Sequence, residues 1–193
     1  FDDGPYEYTS ELIDLLNEAK IKATFFTNAD FPTDKTKQEI LKKMYASGHQ
    51  VASHTWAHII PNSHEEIKSM MTKFDNFLES VIGVKPKYFR APQGNCDDSC
   101  IKYFEELGYK VIQWDTDTND WNKSQGAETR VKLVKEFLTE EWAKNKDNYL
   151  VLMHDVQKHT VKEIVPWVIK HAPFDKYKFV TVAECLGNKN DMY

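Results

Sequence analysis

Apolar residues recur along the chain at two spacings, one typical of amphipathic helices and one of buried strands. Helical spacing predicts six helices, the first capped by Thr9 or Ser10 and reaching Ala19, then residues 34–46, 63–82, 98–107, 127–144 and 160–171. Short apolar or β-branched runs between them predict strands at residues 23–27, 49–53, 87–90, 109–114, 149–153 and 177–183. Residues 115–121 are polar and are predicted as a loop.

The alternation of strand and helix predicts a parallel β/α architecture. Phe1 to Pro5 has the pattern of a strand end followed by a turn, so we expect a further strand upstream of Phe1. Including it gives about seven strands, which suits a distorted barrel better than an eight-stranded one. Residues 1–193 contain no linker, repeat or low-complexity segment, and we expect them to form one domain.

Composition narrows the class of protein. The 193 residues are 41% hydrophobic and 13% aromatic, as in a globular domain with a full core. The net charge is −5 and no basic stripe is present, which argues against a nucleic-acid partner. No apolar run approaches the roughly 18 residues that a membrane span needs, so no membrane-spanning segment is expected.

Charged and polar side chains follow most of the predicted strands. In a parallel β/α barrel those strand ends converge on one face, where active sites lie. The residues at the strand ends are Asp2, Asp3, His54, His58, Arg90, Asp117, Asp120 and His154. The remaining histidines, His49, His64, His159 and His171, are predicted to be surface or structural residues.

These residue types are those needed for metal-assisted hydrolysis. An aspartate and the two histidines four residues apart, His54 and His58, can hold a divalent ion with open positions left over. A second aspartate can take a proton from water, and a histidine across the site can protonate the leaving group. Arg90 can fix the base, and a backbone N–H near Pro92 and Gln93 can help to hold an oxyanion.

The three cysteines leave the redox state open. Cys96 and Cys100 form a C-x3-C pair, which fits a small disulfide loop, half of a zinc site or two reduced thiols. The chain has no second pair, which argues against a structural zinc site. Cys185 is left over, so in an oxidised protein its partner lies upstream of Phe1 or on another chain.

Five segments together resemble a known family. FDDGP, HTWAH, RAPQG, DTNDW and LMHD are similar to the five ordered motifs of the polysaccharide deacetylases, carbohydrate esterase family 4. The resemblance covers nearly the whole chain. It implies a catalytic domain with a distorted β/α barrel that removes acetyl groups from carbohydrate with the help of a divalent metal.

The resemblance also implies a role for each acid and base. Asp2 matches the catalytic base and Arg90 the residue that orients it. His154 matches the general acid, and Asp120 the carboxylate that tunes it.

The implied metal ligands are Asp3, His54 and His58, with zinc expected and cobalt or nickel as alternatives. Substrate contacts are implied for Trp121 and Leu152, which would line the acetyl pocket, and for the backbone at Pro92 and Gln93. We expect Trp121 at the open face beside the metal. Gln93 departs from the aromatic residue usual in the third motif, and the sugar preference depends on that position.

The segments around the cysteines are similar to fungal chitin deacetylases. That likeness implies a disulfide between Cys96 and Cys100, and a bond from Cys185 to an upstream cysteine. We therefore expect a secreted or cell-wall enzyme, monomeric, that removes N-acetyl groups from N-acetylglucosamine polymers such as chitin. An acetyl xylan esterase and a catalytically silent carbohydrate-binding protein are the alternatives.

Overall fold

Parallel pairing of short strands organises the molecule. The computed structural model describes all of residues 1–193. One parallel sheet joins four strands in the order β1 (Thr24–Thr27), β2 (Gln50–Ser53), β3 (Tyr88–Phe89) and β4 (Lys110–Val111). A second parallel pair joins β5 (Thr116–Asp117) to β6 (Val151–Leu152).

Asp2 connects the two sheets. Its backbone makes parallel bridges both to Phe26 on β1 and to His154 just beyond β6. Its N–H donates to the Met153 carbonyl at 3.0 Å, and the Phe26 N–H donates to the Phe1 carbonyl at 2.8 Å. Phe1 and Asp2 thus occupy a strand position between β6 and β1, which gives seven strand positions together with β1 to β6. No strand pairing closes the sheet between β4 and β5.

Helices form the crossovers between the strands, as the apolar spacing predicts. Side-chain caps begin several of them: the Asp34 and Ser63 side chains accept from backbone N–H groups of the first helical turn. The helices are α1 (Thr9–Glu18), α2 (Lys35–Ala46), α3 (His64–Ile82), α4 (Asp98–Glu106), α5 (Ala127–Ala143), α6 (Val165–His171) and α7 (Val182–Cys185). A 3-10 turn spans Pro92–Gly94, and a π-helical turn, Thr160–Ile164, precedes Pro166 at the start of α6.

The predicted strand at residues 177–183 is wrong. This segment has no strand, and α7 begins at Val182 instead. Its first N–H groups donate to side chains of the sheet: Val182 to Thr24 Oγ1 at 2.8 Å, and Ala183 to Gln50 Oε1 at 3.0 Å. The β-branched run fits a strand locally, but these buried acceptors satisfy the backbone as a helix start.

Two smaller predictions also differ from the structure. Thr9 is not a cap but the first residue of α1, because its hydroxyl accepts from the Tyr6 N–H at 2.8 Å and donates to buried Asp155. Residues 116–117, predicted as loop, form β5, because the neighbouring β6 pairs with them.

The main core lies between the sheet and α1, α2, α3, α5 and α6. A smaller cluster joins α3 and α4, where the Phe89 ring stacks on Phe104 with centroids 3.9 Å apart. Burying one such aromatic side chain contributes roughly 1.5–3 kcal/mol. These contacts hold the loops after β2 and β3, which carry His54 and Arg90. No helix combines the length and apolar character that crossing a membrane requires.

Buried His49 predicts an acid-sensitive fold. Burial, with a smaller effect of the Lys22 charge, lowers the pKa of His49 to about 4. The unfolded chain binds this proton at about pH 6.5, so the stabilisation is complete above pH 6.5 and is lost as the pH falls toward 4. Between pH 7 and 5, native protein should lose on the order of 2 kcal/mol more unfolding free energy than His49→Asn, measured by urea denaturation.

Asparagine offers an oxygen in place of His49 Nδ1, which accepts from the Ala23 N–H at 3.2 Å. The matched control is His171→Asn, at an exposed histidine. It should keep the pH dependence of the native protein. Equal pH dependence in His49→Asn and the native protein would contradict the prediction.

Candidate active site

Asp3, His54 and His58 come together at the ends of neighbouring strand positions. Asp3 Oδ1 lies 3.3 Å from Nε2 of His54 and 3.3 Å from Nε2 of His58. One ligand atom from each residue lies within 4.8 Å of the others. The His54 side chain is buried, whereas 29% of Asp3 and 38% of His58 are exposed. The cluster is therefore open to solvent on one side.

Asn28, at the end of β1, ties together the two loops that carry this cluster. Its N–H donates to the Gly4 carbonyl at 2.9 Å, and its side-chain amide donates to the His54 carbonyl at 2.7 Å. Asp3 and His58 both have left-handed backbone angles, with φ of 77° and 58°. Such conformations in non-glycine residues are uncommon and cluster at functional sites.

The residues fit a divalent cation. His54 Nδ1 donates to the Arg90 carbonyl at 2.8 Å; since a carbonyl only accepts, the lone pair of the neutral ring lies on Nε2, facing Asp3. Asp3 Oδ1 is buried without a hydrogen-bond partner. A buried carboxylate oxygen facing imidazole lone pairs is costly unless a cation lies between them. One carboxylate and two imidazoles suit zinc and similar ions.

The protonation states of Asp3 and His58 also suit metal ligands. Burial raises the pKa of Asp3, but the close approach of the His54 ring and the nearby imidazoles outweigh it and hold that pKa below its usual range. Burial lowers the pKa of His58, and the Asp3 charge only partly opposes this. A carboxylate and a neutral imidazole are the forms that bind metal.

Asp2 points to a different partner from its neighbour Asp3. Asp2 Oδ1 accepts from Arg90 Nη1 at 2.9 Å, in a pair whose side chains are no more than 3% exposed. Asp2 Oδ2 lies 3.9 Å from His54 Nε2. Arg90 also donates from Nη2 to the Gln113 carbonyl at 3.1 Å and lies over the Phe26 ring at 4.1 Å. Arg90 therefore binds Asp2, whereas Asp3 lies closer to the two histidines.

His154 forms the opposite side with Asp120. Its Nδ1 donates to Asp120 Oδ1 at 2.8 Å, and its backbone N–H donates to Oδ2 at 2.8 Å. Burial lowers the pKa of His154, but the hydrogen bond and charge of Asp120 outweigh it, so the net pKa is raised. Because Nδ1 is engaged, Nε2 is the ring nitrogen left for a ligand or substrate.

Comparison with known proteins identifies the family of the chain. The family model described as polysaccharide deacetylase matches residues 1–112. A chitin deacetylase of Colletotrichum lindemuthianum is 34% identical over 194 residues, covering 97% of this chain and 78% of that protein. The chain belongs to the polysaccharide deacetylase family.

The solved structures support the same fold. The structure of the Colletotrichum lindemuthianum chitin deacetylase has a TM-score of 0.88 and 33% identity, covering 97% of this chain and 85% of that one. Two further relatives are longer. The chain spans 51% of a chitin deacetylase of Arthroderma benhamiae at 33% identity, and 38% of a peptidoglycan-N-acetylglucosamine deacetylase of Listeria monocytogenes at 32% identity, in each case over nearly the whole of this chain.

Three residues of this deacetylase hold Asp120 and were missed in the sequence. Thr160 Oγ1 donates to Asp120 Oδ2 at 2.6 Å. The Asp120 carbonyl accepts from His159 Nε2 at 2.8 Å and from Arg130 Nη1 at 3.1 Å. His159, predicted as surface or structural, is buried beside the site. Thr160 is the first residue of a π-helical turn, and helical spacing alone does not predict such a turn.

The remaining predicted site residues lie on neighbouring elements of the deacetylase. Trp121 is 43% exposed and donates from Nε1 to Asp117 Oδ1 at 3.3 Å, so it is not a core tryptophan. Leu152 is buried on β6, two residues before His154. Pro92 is buried, while Gln93 is exposed and has a φ of 57°. Cys96 and Cys100 form a disulfide, and Cys185 is an exposed thiol.

The geometry predicts selective loss of metal binding. Calorimetric titration of metal-free deacetylase with zinc should give one ion per chain. Asp3→Asn should lower the affinity for zinc by more than the roughly 10–100-fold typical of an outer-shell change, because a ligand is lost. Asp2→Asn is the matched control, and its affinity for zinc should fall by no more than that range. Equal weakening by the two substitutions would contradict the assignment of Asp3 alone as the carboxylate ligand.

Proposed function

We propose that this chain is a metal-dependent hydrolase that removes N-acetyl groups from polymers of N-acetylglucosamine such as chitin. The observation that carries the proposal is the pairing of Asp2 with Arg90 and of His154 with Asp120 on two sides of the Asp3, His54 and His58 cluster. Likeness to chitin and peptidoglycan deacetylases supports it.

The metal would be held by Asp3, His54 and His58, with zinc first and cobalt or nickel as alternatives. When bound, such an ion supplies Lewis acidity, which makes water more acidic and polarises the acetyl carbonyl. His54 is kept in the ligating tautomer by the Arg90 carbonyl.

Asp2 is the base in this proposal. One oxygen is fixed by Arg90, so the other is left to accept a proton from the attacking water. Arg90 thereby orients the base without touching substrate. The backbone N–H of Gln93 is the proposed donor to the oxyanion, and a main-chain donor does not depend on the side chain at that position.

His154 is the acid. An amide nitrogen is a poor leaving group, so as the carbon–nitrogen bond breaks it takes the proton from His154 Nε2, and free amine and acetate are released. Asp120 holds Nδ1 and raises the pKa of His154, which increases the protonated fraction at neutral pH. Trp121 and Leu152 would line the pocket of the acetyl methyl group.

The proposed location is outside the cytoplasm, as a secreted or cell-wall enzyme. The Cys96–Cys100 disulfide supports an oxidising compartment, because such bonds are rare in reducing ones.

Acetate release from defined oligosaccharides tests the function. Chain purified with zinc should release acetate from a chitin oligosaccharide, and chelator should abolish release until zinc is added back. Release only from acetylated xylan fragments would instead favour an O-acetyl esterase. No acetate release from either substrate, with the sugar still bound, would indicate that the chain is a carbohydrate-binding protein.

Substitution of the two proton carriers should separate catalysis from metal binding. Asp2→Asn and His154→Ala should each lower kcat on an N-acetyl oligosaccharide by the ~10²–10⁴-fold typical of one acid–base group, with zinc content unchanged. His154→Ala should affect an activated acetyl ester much less, because its leaving group needs no proton. A near-native rate on the oligosaccharide in either variant would refute the roles.

Thr160 should act through Asp120 on His154. Thr160→Val removes one charge-assisted hydrogen bond worth about 1.5–3 kcal/mol, so kcat on the amide should fall about tenfold or more. The rate on an activated ester should stay near the native value. Thr160→Ser keeps the hydroxyl and should restore amide hydrolysis. Equal losses on both substrates would indicate a general structural effect instead.

A further inference from the structure

One acceptor motif for an N-linked sugar follows the candidate site along the chain. Asn122, Lys123 and Ser124 have the order asparagine, any residue except proline, then serine or threonine, which is the pattern of N-glycosylated segments in secreted proteins. No other asparagine in residues 1–193 is followed by serine or threonine two positions later. Because so short a pattern also arises by chance, the surroundings of Asn122 decide whether it suits this role.

The segment around Asn122 is open to solvent. Asn122 is half-buried and lies in the loop between β5 and α5, outside any helix or strand. Residues 123–129, which finish this loop and begin α5, are all exposed. Trp121, directly before Asn122, is 43% exposed. An N-linked sugar is bulky and hydrophilic and requires a surface loop, and this segment provides one.

The side chain of Asn122 engages its oxygen and leaves its nitrogen free. Oδ1 accepts from the Ser124 N–H at 3.0 Å and from the Ser124 hydroxyl at 2.7 Å. Nδ2 donates to no group of the protein. An N-glycosidic bond forms at Nδ2 and leaves the side-chain carbonyl in place. The modified residue therefore retains both contacts with Ser124, and the loop keeps its conformation when the sugar is added.

The contacts of the proposed acid do not involve the side chain of Asn122. The Asp120 carbonyl, two residues earlier, accepts from His159 and Arg130. The backbone N–H of Asn122 donates to the Asn119 carbonyl at 3.1 Å, which fixes the acceptor at the end of the same loop. A sugar on Nδ2 thus replaces none of the hydrogen bonds that hold Asp120.

We propose that Asn122 is an acceptor for an N-linked oligosaccharide in a glycosylating secretory compartment. This inference rests on the proposed location outside the cytoplasm, which the Cys96–Cys100 disulfide supports, and not on the deacetylation reaction. The donor is an oligosaccharide joined to a lipid through pyrophosphate. Nδ2 forms a bond to the anomeric carbon of the donor and loses one proton. The bond from that carbon to the pyrophosphate oxygen breaks, and the lipid pyrophosphate leaves with the electron pair.

The mass of the secreted protein tests the acceptor. A cleavable leader directs the chain into the secretory pathway of a yeast, and the protein is purified from the medium. Peptide N-glycosidase, which hydrolyses the bond between asparagine and sugar, should lower the intact mass by whole numbers of hexose and N-acetylhexosamine units. Peptide mapping should then show that Asn122 has been converted to aspartate. No mass loss, with Asn122 intact, would overturn the proposal.

Substitutions locate the sugar independently. Asn122→Gln removes the acceptor amide and Ser124→Ala the hydroxyl of the motif, so each should abolish the mass loss on digestion. Ser124→Thr keeps a hydroxyl and should keep the loss. Asn148→Gln is the matched control, at an exposed loop asparagine outside the motif, and should behave as the native protein. An undiminished mass loss in Asn122→Gln would overturn the proposal. If a variant is not secreted, peptide mapping of the native protein still decides the site.

Failure of the proposed function is a separate outcome, because the mass measurement does not depend on acetate release. A chain that releases acetate from chitin oligosaccharides but carries no sugar on Asn122 would keep the proposed function and overturn the acceptor. A chain that carries the sugar but releases no acetate would overturn the proposed function and support the acceptor.

Discussion

The buried ion pair between Arg90 and Asp2 is the interaction on which the site depends. Both side chains are almost wholly buried, so removing one partner would leave an uncompensated charge at a cost of about 3–5 kcal/mol. Arg90 also fixes a second element, because its carbonyl holds the His54 ring. Arg90, directly after β3, therefore fixes the positions of both the proposed base and a proposed metal ligand. The surroundings of Arg90 restrict it further, with Phe26 below its guanidinium.

The backbone of Asp2 joins the two halves of the site. Its bridges to Phe26 and His154 hold β1 and β6 at fixed positions on either side of it. The proposed base and acid thus lie on adjacent strand positions, while Asn28 ties the metal-binding loops to β1. Proton transfer on two sides of one cluster follows from this parallel arrangement, since all these groups lie at the carboxyl ends of strands.

Local patterns in the sequence predicted the parts of the molecule that depend on nearby residues. Strand and helix alternation predicted the parallel fold, and polar residues at strand ends predicted that Asp3 and His54 would meet. Prediction from the sequence failed where distant contacts determine the local structure. Residues 177–183 suit a strand by composition, yet buried acceptors on β1 and β2 make Val182 a helix start. Thr160, which reaches Asp120, is the first residue of a π-helical turn, and helical spacing does not predict that turn.

Anomalous diffraction from crystals of the chain grown with zinc would show which of the two aspartates binds the metal. We expect one strong peak among the side chains of Asp3, His54 and His58, with Asp2 still paired to Arg90 and outside the coordination shell. A peak coordinated by Asp2, or no peak at this cluster while zinc binds elsewhere, would contradict the division of the two aspartates into ligand and base.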